Sequence, residues 1–133
     1  MPLQTDIDAL FDRYLTAWNA RDFNGVAACY TYPCLFVLPQ ASIPVADADA
    51  MVSLLTGLFA GLEENGFSHT EIGSVTATSC GEGLAVVDAT DVRRLRHDGS
   101  VLEIIDGHYI ARKEADGWRF NLAVSCTPGW NAA

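Results

Sequence analysis

The stretch EIIDGHYIAR, residues 103–112, has the composition of a β-strand but carries an acid, a glycine and a histidine near its centre. Asp and Gly are depleted in strand interiors, so the segment marks either a bend in a sheet or a carboxylate placed on a buried face. It is the third of four β-rich segments, the others being FSHTEIGSVTATSC from residue 67, LAVVDATDVRRLR from 84 and WRFNLAVSC from 118. Glycine-containing joints at 81–83, 97–100 and 115–117 predict that these segments form an antiparallel meander.

The first half of the chain has the periodicity of helices. Apolar residues at helical spacing from Ile7 to Trp18 predict a first helix, with Thr5 and Asp8 as a capping box. Asp22 is the predicted N-cap of a short second helix, and Asp47 that of a third, which ends at Asn65 and Gly66.

The run TYPCLFVLP, residues 31–39, lies between the second and third helices and is bounded by Pro33 and Pro39. Proline at both ends is typical of an edge strand or of a segment that lines a cavity. Helices followed by a run of strands predict the α+β class, with residues 1–133 as a single domain.

Composition and charge exclude several classes of partner. Half of the residues are hydrophobic, which leaves apolar area for a partner or a cavity, and the net charge of −9 disfavours nucleic acid and anionic membranes. The only basic cluster, Arg93, Arg94 and Arg96, is predicted to be a solvated strand end rather than an anion site.

The sequence contains no export signal and no membrane-length apolar run, which predicts a cytoplasmic protein. The four cysteines, at positions 29, 34, 80 and 126, lack metal-site spacing. They are predicted to be buried, reduced thiols, and neither a metal nor a cofactor is expected.

Several strands are apolar or small on both faces. In the segment from 84, Leu84 and Val86 alternate with Ala85, Val87 and Ala89. A sheet that is covered by helices on one side is normally polar on the other. The second face is therefore predicted to meet another copy of the chain in a two-fold homodimer.

The order of helices and strands resembles the nuclear transport factor 2-like superfamily, which includes the SnoaL-like polyketide cyclases and the ketosteroid isomerases. The local carriers of the resemblance are FDRYLTAWNARDFNGVAACY at 11–30 and DGWRF at 116–120. The resemblance implies a cone-like, cystatin-like fold, in which a curved, mostly antiparallel sheet wraps around three N-terminal helices and encloses an apolar cavity. Gly107 could then bend the sheet while Asp106 points into the hollow.

The resemblance also suggests roles for individual residues. Tyr14 lines up with the tyrosine that stabilises the enolate in ketosteroid isomerases, and Asp106 lines up with their protonated acid. Leu38 stands where the base is expected, which argues against that specific activity. Because residues two apart on a strand share a face, Asp106 and His108 are predicted to lie together on the cavity face, between Ile104 and Ile110.

The predicted catalytic candidates are thus Asp106, His108 and Tyr14. In the alternative interpretation, Asp106 binds backbone at a bulge and His108 is structural. The residues predicted to line the pocket are Trp18, Tyr30, Phe36, Leu38, Leu55, Phe59, Ile104 and Trp130.

Three functions remain open at this point. The first is a homodimer that binds a small apolar molecule. The second is an isomerase, cyclase or dehydratase that uses Asp106 with His108 or Tyr14. The third is a non-catalytic accessory or scaffold subunit that binds another protein, because one fold of this kind can carry many functions.

Overall fold

The computed structural model describes residues 2–128, so the predicted role of Trp130 lies outside the described residues. Three helices and six strands are described, and a curved, open sheet contains all six strands. The helices are α1 (Leu3–Asn19), α2 (Phe23–Ala27) and α3 (Ala48–Glu64). The strands are β1 (Tyr30–Leu38), β2 (Ala41–Val45), β3 (Phe67–Gly81), β4 (Leu84–Arg96), β5 (Val101–Glu114) and β6 (Gly117–Cys126).

The strand order is β2-β1-β6-β5-β4-β3, and the predicted meander of β3 to β6 is confirmed as a run of antiparallel neighbours. Of the two interpretations of the proline-bounded run, the edge strand is wrong, because β1 lies between β2 and β6, whereas the lining segment is confirmed by Phe36 and Leu38, which line the cavity described below. β1 pairs in parallel with β6, and the register shifts between Tyr30 and Leu35, where Pro33 lies. This irregularity accommodates a residue without an N–H group inside the sheet.

Two of the three predicted helix starts are confirmed. Asp22 accepts a hydrogen bond from the Gly25 N–H group, and Asp47 accepts one from that of Ala50. Each carboxylate satisfies one backbone donor that the first helical turn leaves free. The predicted capping box at Thr5 is wrong, because α1 begins at Leu3, after Pro2, and Thr5 lies within the helix.

The core lies between the helices and one face of the sheet. Four aromatic rings meet at its centre: Phe11 and Tyr14 of α1 lie edge-on to Phe120 of β6, at 5.6 and 5.2 Å, and the ring of Tyr109 of β5 lies tilted against it at 4.8 Å. Such ring pairs contribute about 0.5–1.5 kcal/mol each beyond burial of their area. This cluster fixes the position of α1 over the sheet.

The edge strand β3 is held by side chains at both ends of α1. Gln4 donates to the Val75 carbonyl at 3.0 Å and accepts from the Ala77 N–H group at 2.9 Å. Asn19 makes the equivalent pair with Thr70, at 3.0 and 2.8 Å. The two amides satisfy backbone groups that an edge strand otherwise leaves unpaired.

Within residues 2–128, no helix has the length and apolar character that crossing a membrane requires.

Candidate functional site: a cavity on the concave face of the sheet

A cavity of about 330 Å³ lies between the helices and the concave face of the sheet. Its walls are mostly aliphatic and aromatic side chains, with a few polar groups among them. The lining includes Phe11, Tyr14, Leu15, Trp18, Phe36, Leu38, Leu58, Thr70, Ile72, Val92, Arg94, Glu103, Ile104, Ile105, Tyr109 and Ala123. Pockets for small molecules typically have this character and a volume of about 300–1,000 Å³.

The register of the strands builds the cavity floor from rows of paired residues. One apolar row runs across β3, β4 and β5 as Ile72, Val92 and Ile105. A second runs across β1, β6 and β5 as Phe36, Ala123 and Tyr109. Paired residues project to the same side of a sheet, so both rows present their side chains to the helices.

A polar row lies next to the first apolar row. Thr70 of β3 and Glu103 of β5 both pair with Arg94 of β4, and all three residues line the cavity. The Arg94 guanidinium donates to the Glu103 carboxylate and lies 5.6 Å from the centre of the Trp18 ring. Its side chain is only 14% exposed.

The prediction that the basic cluster is a solvated strand end is therefore wrong for Arg94. The signal was present in the sequence, because Arg94 is two residues from the buried Val92 and must share its face. The neighbouring Arg93 points away from the cavity. It forms a solvent-exposed ion pair with Asp91 at 2.9 Å, as predicted for a solvated arginine. Glu103 and Thr70 were not predicted as site residues either.

Three of the residues that line the cavity each have a buried polar atom with no hydrogen-bond partner among residues 2–128. These atoms are the indole Nε1 of Trp18, the hydroxyl Oγ1 of Thr70 and the Nε of Arg94. Trp18 is 7% exposed and Thr70 is 6% exposed. The Asn19 side chain donates to the Thr70 carbonyl and accepts from the Thr70 N–H group, and neither bond involves the Thr70 hydroxyl.

The predicted site residue Tyr14 does line the cavity. The Tyr30 hydroxyl donates to the Tyr14 hydroxyl at 3.3 Å, but Tyr30 itself lies behind the wall. Burial raises the pKa of Tyr14 and raises the pKa values of Tyr30 and Tyr109 well above the usual value for a phenol. All three hydroxyls therefore stay protonated and can donate at neutral pH.

Gly107, the glycine of the stretch EIIDGHYIAR, leaves room for a neighbouring side chain. A Cβ atom at Gly107 would lie 3.0 Å from the Tyr109 hydroxyl and 3.1 Å from the ring edge. The ring of Tyr109 thus lies against the Gly107 backbone, and a side chain at position 107 would push it away. Gly107 is needed for the aromatic wall of the cavity.

The expectation that Asp106 points into the cavity is corrected by the structure. Thr90 and Asp91 of β4 lie opposite the single residue Asp106 of β5, which defines a β-bulge. Asp91 has a φ of +55°, and its N–H group donates to the Asp106 carboxylate at 3.2 Å. Asp106 therefore holds the backbone of a bulge, as the alternative interpretation had it, and it is not among the cavity-lining residues.

His108 is likewise on the other side of the sheet. Its Nδ1 lies 2.6 Å from a carboxylate oxygen of Asp88, the residue with which it pairs on β4. Neither residue lines the cavity. The structure therefore does not bring the three predicted catalytic residues together. Tyr14 belongs to α1, on the concave side of the sheet, whereas the His108 side chain projects from the outer side.

Among the residues predicted to line the pocket, Trp18, Phe36, Leu38 and Ile104 do so. Tyr30, Leu55 and Phe59 are buried in the core, with at most 3% of each exposed, and do not line the cavity. Ile104 lies at the rim, where it is 37% exposed.

The four cysteines are free thiols. Cys29 and Cys34 are buried as predicted, but Cys80 is exposed and Cys126 is half-buried. Burial raises the pKa of Cys34 to about 11, so it is almost entirely protonated at neutral pH. No group of His, Cys, Asp and Glu residues within 2–128 is placed to hold a metal ion.

The family described as "NTF2-like protein (DUF6841)" matches residues 5–128. The chain belongs to this family. The superfamily suggested by the sequence is thus confirmed for nearly the whole length of this NTF2-like protein. No functionally curated protein matches its sequence.

Solved structures share the fold at low sequence identity. An NTF2-like protein with a cystatin-like fold from Novosphingobium aromaticivorans has a TM-score of 0.77 and 16% identity, over 96% of this chain and 82% of that one. ActVI-ORFA from Streptomyces coelicolor has a TM-score of 0.78 and 13% identity, over 96% and 98%. A Catenulispora acidiphila protein in complex with S-DNPA has a TM-score of 0.73 and 18% identity, over 92% of each chain. These structures confirm the predicted cystatin-like fold.

Proposed function

We propose that this NTF2-like protein binds a small, largely apolar molecule in the cavity on the concave face of its sheet. The observation that carries the proposal is a cavity of about 330 Å³ with two apolar rows as its floor. Side chains that filled this hollow would add packing contacts to the core, so leaving it open forgoes that stabilisation. A cavity of this size is therefore expected to serve a ligand.

The Catenulispora acidiphila protein supports the proposal, because a chain of the same fold was solved in complex with S-DNPA. Binding is proposed in preference to catalysis because Asp106 and His108 have structural partners on the outer side of the sheet. Among the predicted catalytic residues, Tyr14 alone lines the cavity. It can donate a hydrogen bond to a ligand oxygen.

The proposed functional unit is a homodimer that is formed through the outer face of the sheet. An apolar row crosses four strands there, with Val86 paired to Ile110, Ile110 to Leu122 and Leu122 to Leu35. All four side chains are partly exposed and lie outside the core cluster. Burial of an aliphatic side chain of this size in an interface contributes about 1.5–3 kcal/mol at most.

The adjacent row contains Asp88, His108, Val37 and Val124, of which Val124 also borders the cavity. The Asp88 and His108 side chains hydrogen-bond to each other. A second copy of the chain can therefore cover this pair without breaking their hydrogen bond. We further propose a cytoplasmic location, which the four free thiols support.

The binding proposal is tested with N-phenyl-1-naphthylamine, a neutral fluorescent probe of apolar cavities. The wild-type protein should enhance its emission in a saturable manner. Ala123→Phe places a ring on the cavity floor and should abolish the enhancement, while Val101→Phe, at an exposed position outside the lining, should leave it unchanged. Circular dichroism checks that both variants are folded. Failure of the wild type to bind, or equal binding by Ala123→Phe, would contradict the proposal.

A further inference from the structure

We infer that the polar row of the cavity, formed by Thr70, Arg94 and Glu103 with the indole of Trp18, is a docking site for a neutral acceptor oxygen of the ligand, such as a carbonyl. This inference rests on the proposed function, because it names the polar group that the apolar ligand carries. Tyr14 and Tyr109 also line the cavity, but neither hydroxyl is among the buried polar atoms without a partner, so they are not counted in this site.

The first argument is the number of unused donors. Trp18 Nε1 and Arg94 Nε can only donate, and the Thr70 hydroxyl can donate as well. None of these three buried atoms has a partner within residues 2–128, although nine-tenths or more of buried polar groups in proteins are satisfied. A buried polar atom without a partner is costly, and an acceptor atom from the ligand would remove that cost.

The second argument is that the donors are fixed before the ligand arrives. Thr70 and Arg94 are paired residues on adjacent strands, and Asn19 holds the Thr70 backbone through two hydrogen bonds. The Trp18 ring packs against Phe59 at 4.7 Å and lies under the Arg94 guanidinium. Little rotamer freedom is lost on binding when the donors are held in this way.

The third argument concerns charge. The Arg94 guanidinium already donates to Glu103, so the site offers hydrogen bonds without a free positive charge. A ligand carboxylate would face the Glu103 carboxylate and a protein with a net charge of −9. A neutral carbonyl has no such repulsion. Glu103 thus acts as a charge filter that favours neutral ligands over anionic ones.

The test uses three naphthalenes of matched size, whose affinities are measured by displacement of N-phenyl-1-naphthylamine. These are 2-acetylnaphthalene with a carbonyl, 2-ethylnaphthalene without a polar group, and 2-naphthoate with a carboxylate. The wild type should bind the ketone about 10-fold more tightly than the hydrocarbon, which corresponds to one or two net hydrogen bonds. The carboxylate should bind most weakly of the three.

The variants remove two of the three donors, one at a time. Thr70→Val and Arg94→Met should each reduce the ratio of ketone affinity to hydrocarbon affinity by at least about 3-fold. The matched controls are Thr76→Val and Arg93→Met, at exposed positions outside the cavity lining, and both should keep the wild-type preference. Glu103→Gln should strengthen binding of 2-naphthoate about 10-fold relative to binding of the ketone.

The possible failures are distinguishable. If the fluorescent probe does not bind to the wild type, the proposed function itself fails. If the probe binds but the ketone and the hydrocarbon have equal affinities in the wild type and in Thr70→Val, the cavity binds ligands and the donor site is refuted. If Glu103→Gln does not change the affinity for 2-naphthoate, Glu103 is not a charge filter.

Discussion

The two faces of the same sheet carry similar residue types but use their polar groups in opposite ways. On the outer face, Asp88 and His108 hydrogen-bond to each other, and Asp106 binds the backbone of Asp91. On the concave face, Arg94 and Thr70 keep donors that have no partner among residues 2–128. Satisfied polar groups stabilise a sheet or an interface, whereas unsatisfied ones in a cavity wall mark a place for a ligand.

The largest effect is expected from a charge placed in the middle of the outer face. Ile110→Arg puts an unpaired guanidinium into the proposed interface, and this should weaken dimerisation by at least about 1,000-fold. Sedimentation velocity should show a dimer for the wild type and a monomer for the variant. Val101→Arg, at the end of β5 and already 41% exposed, should remain a dimer. A monomeric wild type would refute the assignment of the outer face.

The second-largest effect is expected in the pH dependence of stability, through the buried tyrosine hydroxyls on the concave side of the sheet. The pKa values of Tyr14, Tyr30 and Tyr109 are raised by burial, so the unfolded state loses these protons first as the pH rises. Their contribution is complete below about pH 10, the pKa of an unfolded tyrosine, and is lost as the pH rises from there toward the folded pKa values. Above pH 10, each tyrosine should lower the free energy of unfolding by up to about 1.4 kcal/mol per pH unit.

Urea unfolding at pH 9, 10 and 11 measures this slope. Tyr30→Phe removes one of the three phenols without changing the cavity lining, so its slope should be smaller by about one proton. A stability that is constant from pH 9 to 11, or a Tyr30→Phe slope equal to that of the wild type, would contradict the buried state of these hydroxyls.

The smallest effect compares two glycines, one at the bulge and one under the cavity wall. A Cβ atom at Gly73 would lie 2.7 Å from the Cβ of Asp91, whereas one at Gly107 would meet the end of the Tyr109 side chain at 3.0 Å. Gly73→Ala should therefore destabilise the protein by about 1–3 kcal/mol. Gly107→Ala should destabilise it less, because the end of the Tyr109 side chain can shift more easily than a Cβ atom attached to the backbone of a strand.

Thermal unfolding ranks the two variants, and Asp91→Gly provides the control for the first. Removal of the Asp91 side chain should make Gly73→Ala less costly, because the two positions share one contact. Gly107→Ala should instead reduce binding of the fluorescent probe, since it moves Tyr109. Additive effects of Gly73→Ala and Asp91→Gly would show that this contact does not shape the bulge.

Local rules predicted the parts of the fold that depend on neighbouring residues. Asp22 and Asp47 cap helices because a carboxylate before a helical run satisfies free N–H groups, whatever the rest of the chain does. The strand β2, Ala41–Val45, was missed because a short segment with a proline and several exposed residues has no strand pattern of its own. It forms because β1 offers a partner.

The candidate site was harder to predict because both faces of the sheet are apolar. Strand alternation correctly groups His108 with Ile110, but apolar neighbours do not distinguish a cavity face from an interface face. The bulge at Asp91 also shifts the register of β4 against β5. Arg94 was assigned to solvent from its charged neighbours, although its spacing from Val92 pointed to the buried side.

The most direct test of the ligand cavity is the indole N–H resonance of Trp18 in a ¹H–¹⁵N NMR spectrum, identified by its loss in Trp18→Phe. Addition of 2-acetylnaphthalene should shift this resonance downfield in a saturable manner, because a buried indole N–H without a partner gains an acceptor, while 2-ethylnaphthalene should change it less. A Trp18 resonance that does not move at saturating concentrations of either compound would contradict a ligand site on the concave face.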